Sequence, residues 1–262
     1  MSHINAVTLL HILANKAAST ARQTGKQPAV ALDLDGTFFN NGPRTLQIIC
    51  EFLSKKCRGY GRLFSEVRKH LVRSQMPYSP NDCLKLFLTE CTTRNPLFGL
   101  GDKHREEFLS YWKSTFFTHD YQKYDLVEPG AKEFACELLK AGIMVVYLTG
   151  RDAKNMRYGT VDALFTNGFP LFVPNTQLVL KPDFSTPDVA FKVGVLAAFD
   201  SAQVEVLALV DNEPAIVNAA CAHSVMGVHF SRPHAPNPPP LSYEARILTS
   251  FEILPGDVLY VE

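Results

Sequence analysis

Ala29-Val-Ala-Leu-Asp-Leu-Asp-Gly-Thr37 is the stretch on which the fold turns. An apolar run leads straight into two aspartates, and Gly36 then lets the chain turn tightly away. Two later stretches repeat the form: Ile143-Met-Val-Val-Tyr-Leu148 runs into Thr149, and Val204-Glu-Val-Leu-Ala-Leu-Val210 runs into Asp211. Runs rich in Val, Ile and Leu with little alternation are typical of strands buried on both faces of a parallel sheet. Leu178-Val-Leu180, ending at Lys181, and Val225-Met-Gly-Val-His-Phe230, ending at Ser231, are two further candidates. Helical spacings separate these runs. Phe134, Leu138 and Leu139 lie between Pro129-Gly130 and Ala141-Gly142; Val193, Leu196 and Ala197 mark a second helix, and Ile216, Ala219 and Ala220 a third. Strand and helix in such alternation predict an α/β, doubly wound, Rossmann-like parallel sheet.

The alternation is interrupted once, from 44 to 123. Leu46/Ile49/Leu53, Phe64/Val67/Leu71, Leu84/Phe87/Leu88/Cys91 and Phe108/Trp112 keep helical spacing. Gly59-Tyr-Gly61, Met76-Pro77, Asn95-Pro96 and Gly99-Leu-Gly101 punctuate them. We read an all-helical insertion over 44–123, and a core domain made of 1–43 and 124–262. The proline-rich Arg232–Pro240 reads as an extended surface loop.

Composition excludes several classes of function. The chain has 262 residues, with 26 Lys+Arg against 26 Asp+Glu, so no global charge draws it to nucleic acid or an anionic membrane. No apolar run is long enough to span a bilayer. Ala6–Ala14 has no basic residue before it and carries His11 in its middle, which predicts a short amphipathic helix and not a secretory signal. The six cysteines form no CxxC pair and suit reduced structural thiols in a cytoplasmic protein.

In open α/β sheets the ligand site lies outside the carboxyl ends of the strands. Here those ends deliver Asp33, Asp35, Thr149 and Asp211 from three segments. Asp is common as a turn residue where strands end, but carboxylates converging on one edge suit a hard cation. Mg²⁺ takes oxygen ligands and commonly shares one or two carboxylates with a phosphate. Asp33, Asp35 and Asp211 are the expected metal ligands.

Asp33-Leu-Asp35-Gly36-Thr37 after an apolar strand resembles the first motif of the haloacid dehalogenase superfamily of phosphatases, and Leu148-Thr149-Gly150-Arg151 resembles the second. Phe191-Lys192 and Val210-Asp211-Asn212-Glu213 are candidates for the third and fourth. The match spans the core in the family's order, and the helical insertion falls where that family carries its cap. The resemblance implies a phosphoric monoester hydrolase using Mg²⁺. Asp33 would attack phosphorus and form an aspartyl-phosphate. Asp35 would protonate the leaving alcohol and then deprotonate the hydrolytic water. Thr149 and Gly150 would bind the phosphoryl oxygens, and a lysine would neutralise charge. An aspartate at position 35 is the signature of the family's phosphatases and phosphotransferases, as against its dehalogenases.

Two departures stand out. The family's fourth motif commonly has a second acidic residue shortly after the first, whereas Asn212 and then Glu213 follow Asp211 here. For the lysine, Lys192 early in a helix is preferred, and Lys181, followed by Pro182, is the alternative. The expected partner is a small phosphorylated substrate, with nucleic acid and membrane disfavoured. A phosphotransferase or nucleic-acid-end phosphatase is the alternative enzyme, and a non-catalytic phospholigand-binding protein the alternative from another class. Lys55, Lys56, Arg58, Arg62, Arg68, Lys69 and Arg73 make one local excess of charge, read as a solvated helix face or as a surface for an anionic substrate. Trp112 is read as a helical-core residue, with a substrate platform as the alternative.

Overall fold

The chain opens with a short strand, β1 (Ser2–Ile4), an 18-residue helix, α1 (Ala6–Gln23), and the first buried strand, β2 (Gln27–Leu32). The computed structural model describes residues 2–72, 74–101 and 103–253; Arg73 of the basic stretch and 254–262 of the expected core lie outside the described residues. Asn5 starts α1 by accepting a hydrogen bond from the Thr8 amide on its side chain, at 2.8 Å, which satisfies one of the helix's orphan donors. The helix is longer than its apolar opening predicts, and it buries Leu9, Leu10, Leu13 and Ala17.

After β2 the chain forms β3 (Phe39–Asn40), then α2 (Gly42–Lys56), α3 (Gly61–Leu71), α4 (Pro80–Arg94) and α5 (Lys103–Phe116). A 3₁₀ turn (His119–Tyr124) and β4 (Leu126–Val127) bring it back. Strands β3 and β4 pair antiparallel, Phe39 opposite Val127 and Asn40 opposite Leu126. This two-stranded neck frames the insertion. Its helices bury their own cluster, including Leu46, Ile49, Leu53, Phe64, Phe87 and Phe108, and each fully buried Leu or Phe stabilises by about 1.5–3 kcal/mol.

The core continues through α6 (Ala131–Lys140), β5 (Met144–Asp152), α7 (Arg157–Thr166), β6 (Thr176–Lys181), α8 (Asp188–Ser201), β7 (Val204–Asp211), α9 (Pro214–Ala222), β8 (Met226–Phe230) and β9 (Arg246–Leu248). Seven strands form one parallel sheet in the order β1-β9-β8-β7-β2-β5-β6. Alternate residues of β2 serve opposite faces: Val30 and Leu32 pack with α1 and α6, while Ala29 and Ala31 pack toward Leu196 and Ile216 of α8 and α9. That two-sided burial explains the unalternating apolar run. Strand β2 lies between β5 and β7, where the strand order reverses, which is the place such sheets bind ligands. Among the described residues, no helix is long and apolar enough to cross a membrane.

Candidate active site

Three adjacent strands deliver the expected residues to one edge. Asp33 follows β2, Asp211 ends β7, and β5 continues through Thr149, Gly150 and Arg151 to Asp152. The extension of β5 changes its register against β6 between Thr149 and Asp152. Lys192, in the second turn of α8, has its Nζ 2.6 Å from Asp33 Oδ1 and 2.6 Å from Asp211 Oδ2. All three side chains are buried. Burial raises the Asp33 carboxyl above the ordinary carboxylate range, Lys192 opposes that, and Asp211 raises it further. For Lys192, burial favours the neutral form, but Asp211 and Asp33 outweigh it and hold the ammonium charged. Two buried carboxylates thus share one cation.

Asp35 faces a different set of partners. Its Oδ1 accepts from Asn41 Nδ2 at 2.7 Å, from Arg151 Nε at 2.8 Å and also Nη2, and from Arg44 Nη2 at 3.5 Å. The side chain is still 31% exposed. Burial disfavours its charge, yet the Arg151 and Arg44 guanidiniums hold the carboxyl well below its usual range. Both arginines also bind the buried Asp125: Arg44 through Nε at 2.8 Å and through Nη2, Arg151 through Nη2 at 2.9 Å. Gln122 Oε1 then accepts from Arg151 Nη1 at 2.8 Å and Thr160 Oγ1 at 2.7 Å. Charges this deeply buried persist only when paired and hydrogen-bonded.

Among the described residues, no group of three or more His, Cys, Asp or Glu is spaced to hold a metal ion. Asp33 and Asp211 stand together, and Asp35 turns its bonded oxygen to the arginines. Thr149 is buried, with its hydroxyl accepting from the Arg151 amide at 3.2 Å. Lys181 pairs with Asp188 at 2.7 Å, and that carboxylate is where a side chain at Gly150 would have to go. The two lysines left open by the sequence therefore occupy different surroundings, Lys192 among the catalytic candidates and Lys181 beside them.

Asn212 and Glu213 brace a loop. Asn212 Nδ2 donates to the Pro233 carbonyl at 2.6 Å, and Glu213 accepts from the Ala235 amide at 3.0 Å. Gly36 has φ +79°, and a Cβ there would lie 2.6 Å from Asn212 Nδ2. A larger residue at 36 is excluded twice, by conformation and by space. The proline-rich segment is thus tied at its start to the end of β7.

Asp33, Asp35, Gly36, Gly150, Lys192, Asp211, Asn212 and Glu213 border one cleft of about 1330 Å³ between core and insertion. Trp112 packs against the helical cluster, as expected of a core residue, and also borders the cleft. In the basic stretch, Lys55 donates to Tyr111 Oη at 2.9 Å and Lys56 pairs with Glu107 at 2.6 Å, which are the contacts of a solvated helix surface. The Arg44–Asp125–Arg151–Gln122 network escaped the sequence reading. Its members lie on separate segments and belong to no spaced motif; only Arg151, beside Gly150, sat within a quoted one.

No family model matches this chain, and no curated protein matches it. Among solved structures, a candidate phosphatase from Clostridium difficile aligns over 86% of this chain and 95% of its own, at 13% identity with a TM-score of 0.51. A HAD-superfamily hydrolase of subfamily IA from Geobacter sulfurreducens aligns over 87% and 95%, at 14% identity and 0.49. CbbY from Rhodobacter sphaeroides, in complex with phosphate, aligns over 86% and 95%, at 13% identity and 0.46. At 13% identity the likeness to the first of these shows a shared fold alone and leaves the chemistry to the site.

Proposed function

We propose that this chain is a phosphatase of the haloacid dehalogenase superfamily, hydrolysing a phosphate monoester through an aspartyl-phosphate on Asp33, with Mg²⁺ as cofactor. One observation carries the reading: Asp33 and Asp211, from neighbouring strands, each stand 2.6 Å from Lys192 Nζ at the sheet's switch point. The donor set suits a hard cation, because two buried carboxylates with one lysine between them leave negative charge in excess. Asp33 and Asp211 would hold the ion, which would supply charge neutralisation for the phosphate dianion when bound.

In this reading Lys192 orients Asp33 and offsets charge on the transferring phosphoryl group. Thr149, with the Gly150 backbone, holds phosphoryl oxygens. Asp35 borders the same cleft, and Arg151 and Arg44 keep it ionised. That state favours removal of a proton from the hydrolytic water over donation to the leaving alcohol. Lys181, engaged with Asp188, supports the wall behind Gly150.

The test is phosphate release from a panel of monoesters by the purified chain with Mg²⁺, alongside Asp33→Asn and Asp35→Asn. Asparagine at 33 should abolish both turnover and phosphoenzyme. Asparagine at 35 should lower turnover by ~10²–10⁴-fold and let a phosphoenzyme build up with an activated aryl phosphate, seen as intact mass after acid quench. Wild-type phosphorylation of Asp33→Asn would sink the assignment of the nucleophile.

A further inference from the structure

The cleft has two unlike sets of lining residues. One is made of carboxylates and Lys192; the other is made of Met76, Tyr78, Trp112, Phe116, Phe117 and Phe184. The rings form a continuous ladder. Trp112 stacks on Phe116 with centroids 4.3 Å apart, Phe116 meets Phe117 at 5.1 Å, and Phe117 meets Phe184 edge-on at 4.8 Å. The first three belong to α5 and the residue after it, while Phe184 comes from the core loop between β6 and α8, so the ladder joins insertion to core. It also reaches the chemistry. Phe116 lies against the Arg44 guanidinium at 4.3 Å, and Arg44 contacts Asp35.

Two features define what such a wall would hold. Phe184 is 58% exposed and Tyr78 52% exposed, although both border the cleft, so apolar ring surface there is not covered by the protein. The Trp112 indole N–H is already used on Thr45 Oγ1 at 3.2 Å, which leaves the ring to offer apolar surface. Cations that could receive a second anion are few. Lys192 is engaged by Asp33 and Asp211, and Arg232 makes bonds of 3.0 and 2.7 Å to the Glu128 carboxylate. Among the described lining residues only Lys113 adds another positive charge.

Building on the phosphatase reading, we infer that the substrate carries a single phosphate and a neutral aromatic group, with the ring seated against the Trp112–Phe184 ladder and the phosphate at Asp33. Aromatic pairs favour edge and offset contacts at the spacing found between these rings, and apolar pockets with few placed polar groups are the usual form of small-molecule sites.

The experiment compares benzyl phosphate, ethyl phosphate and 2-phosphoglycolate as substrates of the full chain with Mg²⁺. The first two release primary alcohols of similar kind, so leaving-group reactivity does not account for a preference. The expected result is kcat/KM for benzyl phosphate at least about tenfold above ethyl phosphate, within the range an apolar pocket can supply, and 2-phosphoglycolate below both. Phe184→Ala should cut the benzyl-to-ethyl ratio about tenfold, and Phe184→Tyr should keep it. The single tryptophan of the chain gives an independent readout: benzyl phosphate should perturb Trp112 fluorescence of Asp33→Asn at lower concentration than ethyl phosphate. Equal kcat/KM values, a preference for 2-phosphoglycolate, or a ratio untouched by Phe184→Ala would overturn the inference alone. Phosphate release from none of the esters would overturn the phosphatase reading and this inference with it.

Discussion

At the scale of single residues, Arg151 ties the site together. It bonds Asp35, Asp125 and Gln122 at once and is fully buried. Replacing a buried partner leaves the opposite charge uncompensated, which costs more than the pair contributes. Arg151→Met should therefore destabilise the chain by about 3–5 kcal/mol, read as a fall in the urea midpoint. Arg151→Lys should recover only part of that loss, since an ammonium cannot present the guanidinium's fork of donors to two carboxylates. A lysine variant as stable as the wild type would show that the fork geometry is dispensable. Such a network was illegible beforehand, because nothing in spacing couples Arg44 and Asp125 to Asp35.

At the scale of elements, the close approaches of backbone decide which turns tolerate change. Gly130, just before α6, has φ +79°, and a Cβ there would run into the backbone of Phe251 and Glu252. Gly25 has φ +67° with open space around its Cβ position. Both substitutions to alanine meet the left-handed penalty, of order 1 kcal/mol. Gly130→Ala must in addition displace a packed segment, so its cost should exceed that of Gly25→Ala by at least about 1 kcal/mol. Guanidinium unfolding of the two variants side by side checks this; equal losses would mean that the Phe251 segment gives way freely. Helices α2 to α5 were readable from apolar spacing because each buries one stripe in a shared cluster. The neck strands β3 and β4 were not, since two residues hold no period.

At the scale of the whole molecule, the segment after β9 closes the core. Phe251 is fully buried, stacks on Phe230 with centroids 4.4 Å apart, and meets Phe38 at 4.9 Å and Phe134 at 5.3 Å. Phe251→Ala should cost about 3–5 kcal/mol, the usual loss for an emptied aromatic site, measured by chemical unfolding; a loss below about 1 kcal/mol would show that the core collapses to fill the space. By itself the sequence determined the parallel sheet, the helical insertion and the apolar strand runs that lead into Asp33, Thr149 and Asp211. Burial on both faces writes an unbroken apolar run; β2 and β7 end where that run stops, whereas β5 continues past it to Asp152. Only tertiary structure decided that β1 and β9 complete the sheet, that Lys192 and not Lys181 stands between Asp33 and Asp211, and that Asp35 turns to two arginines. Those outcomes depend on distances between segments far apart in the chain, and local periodicity holds no record of them.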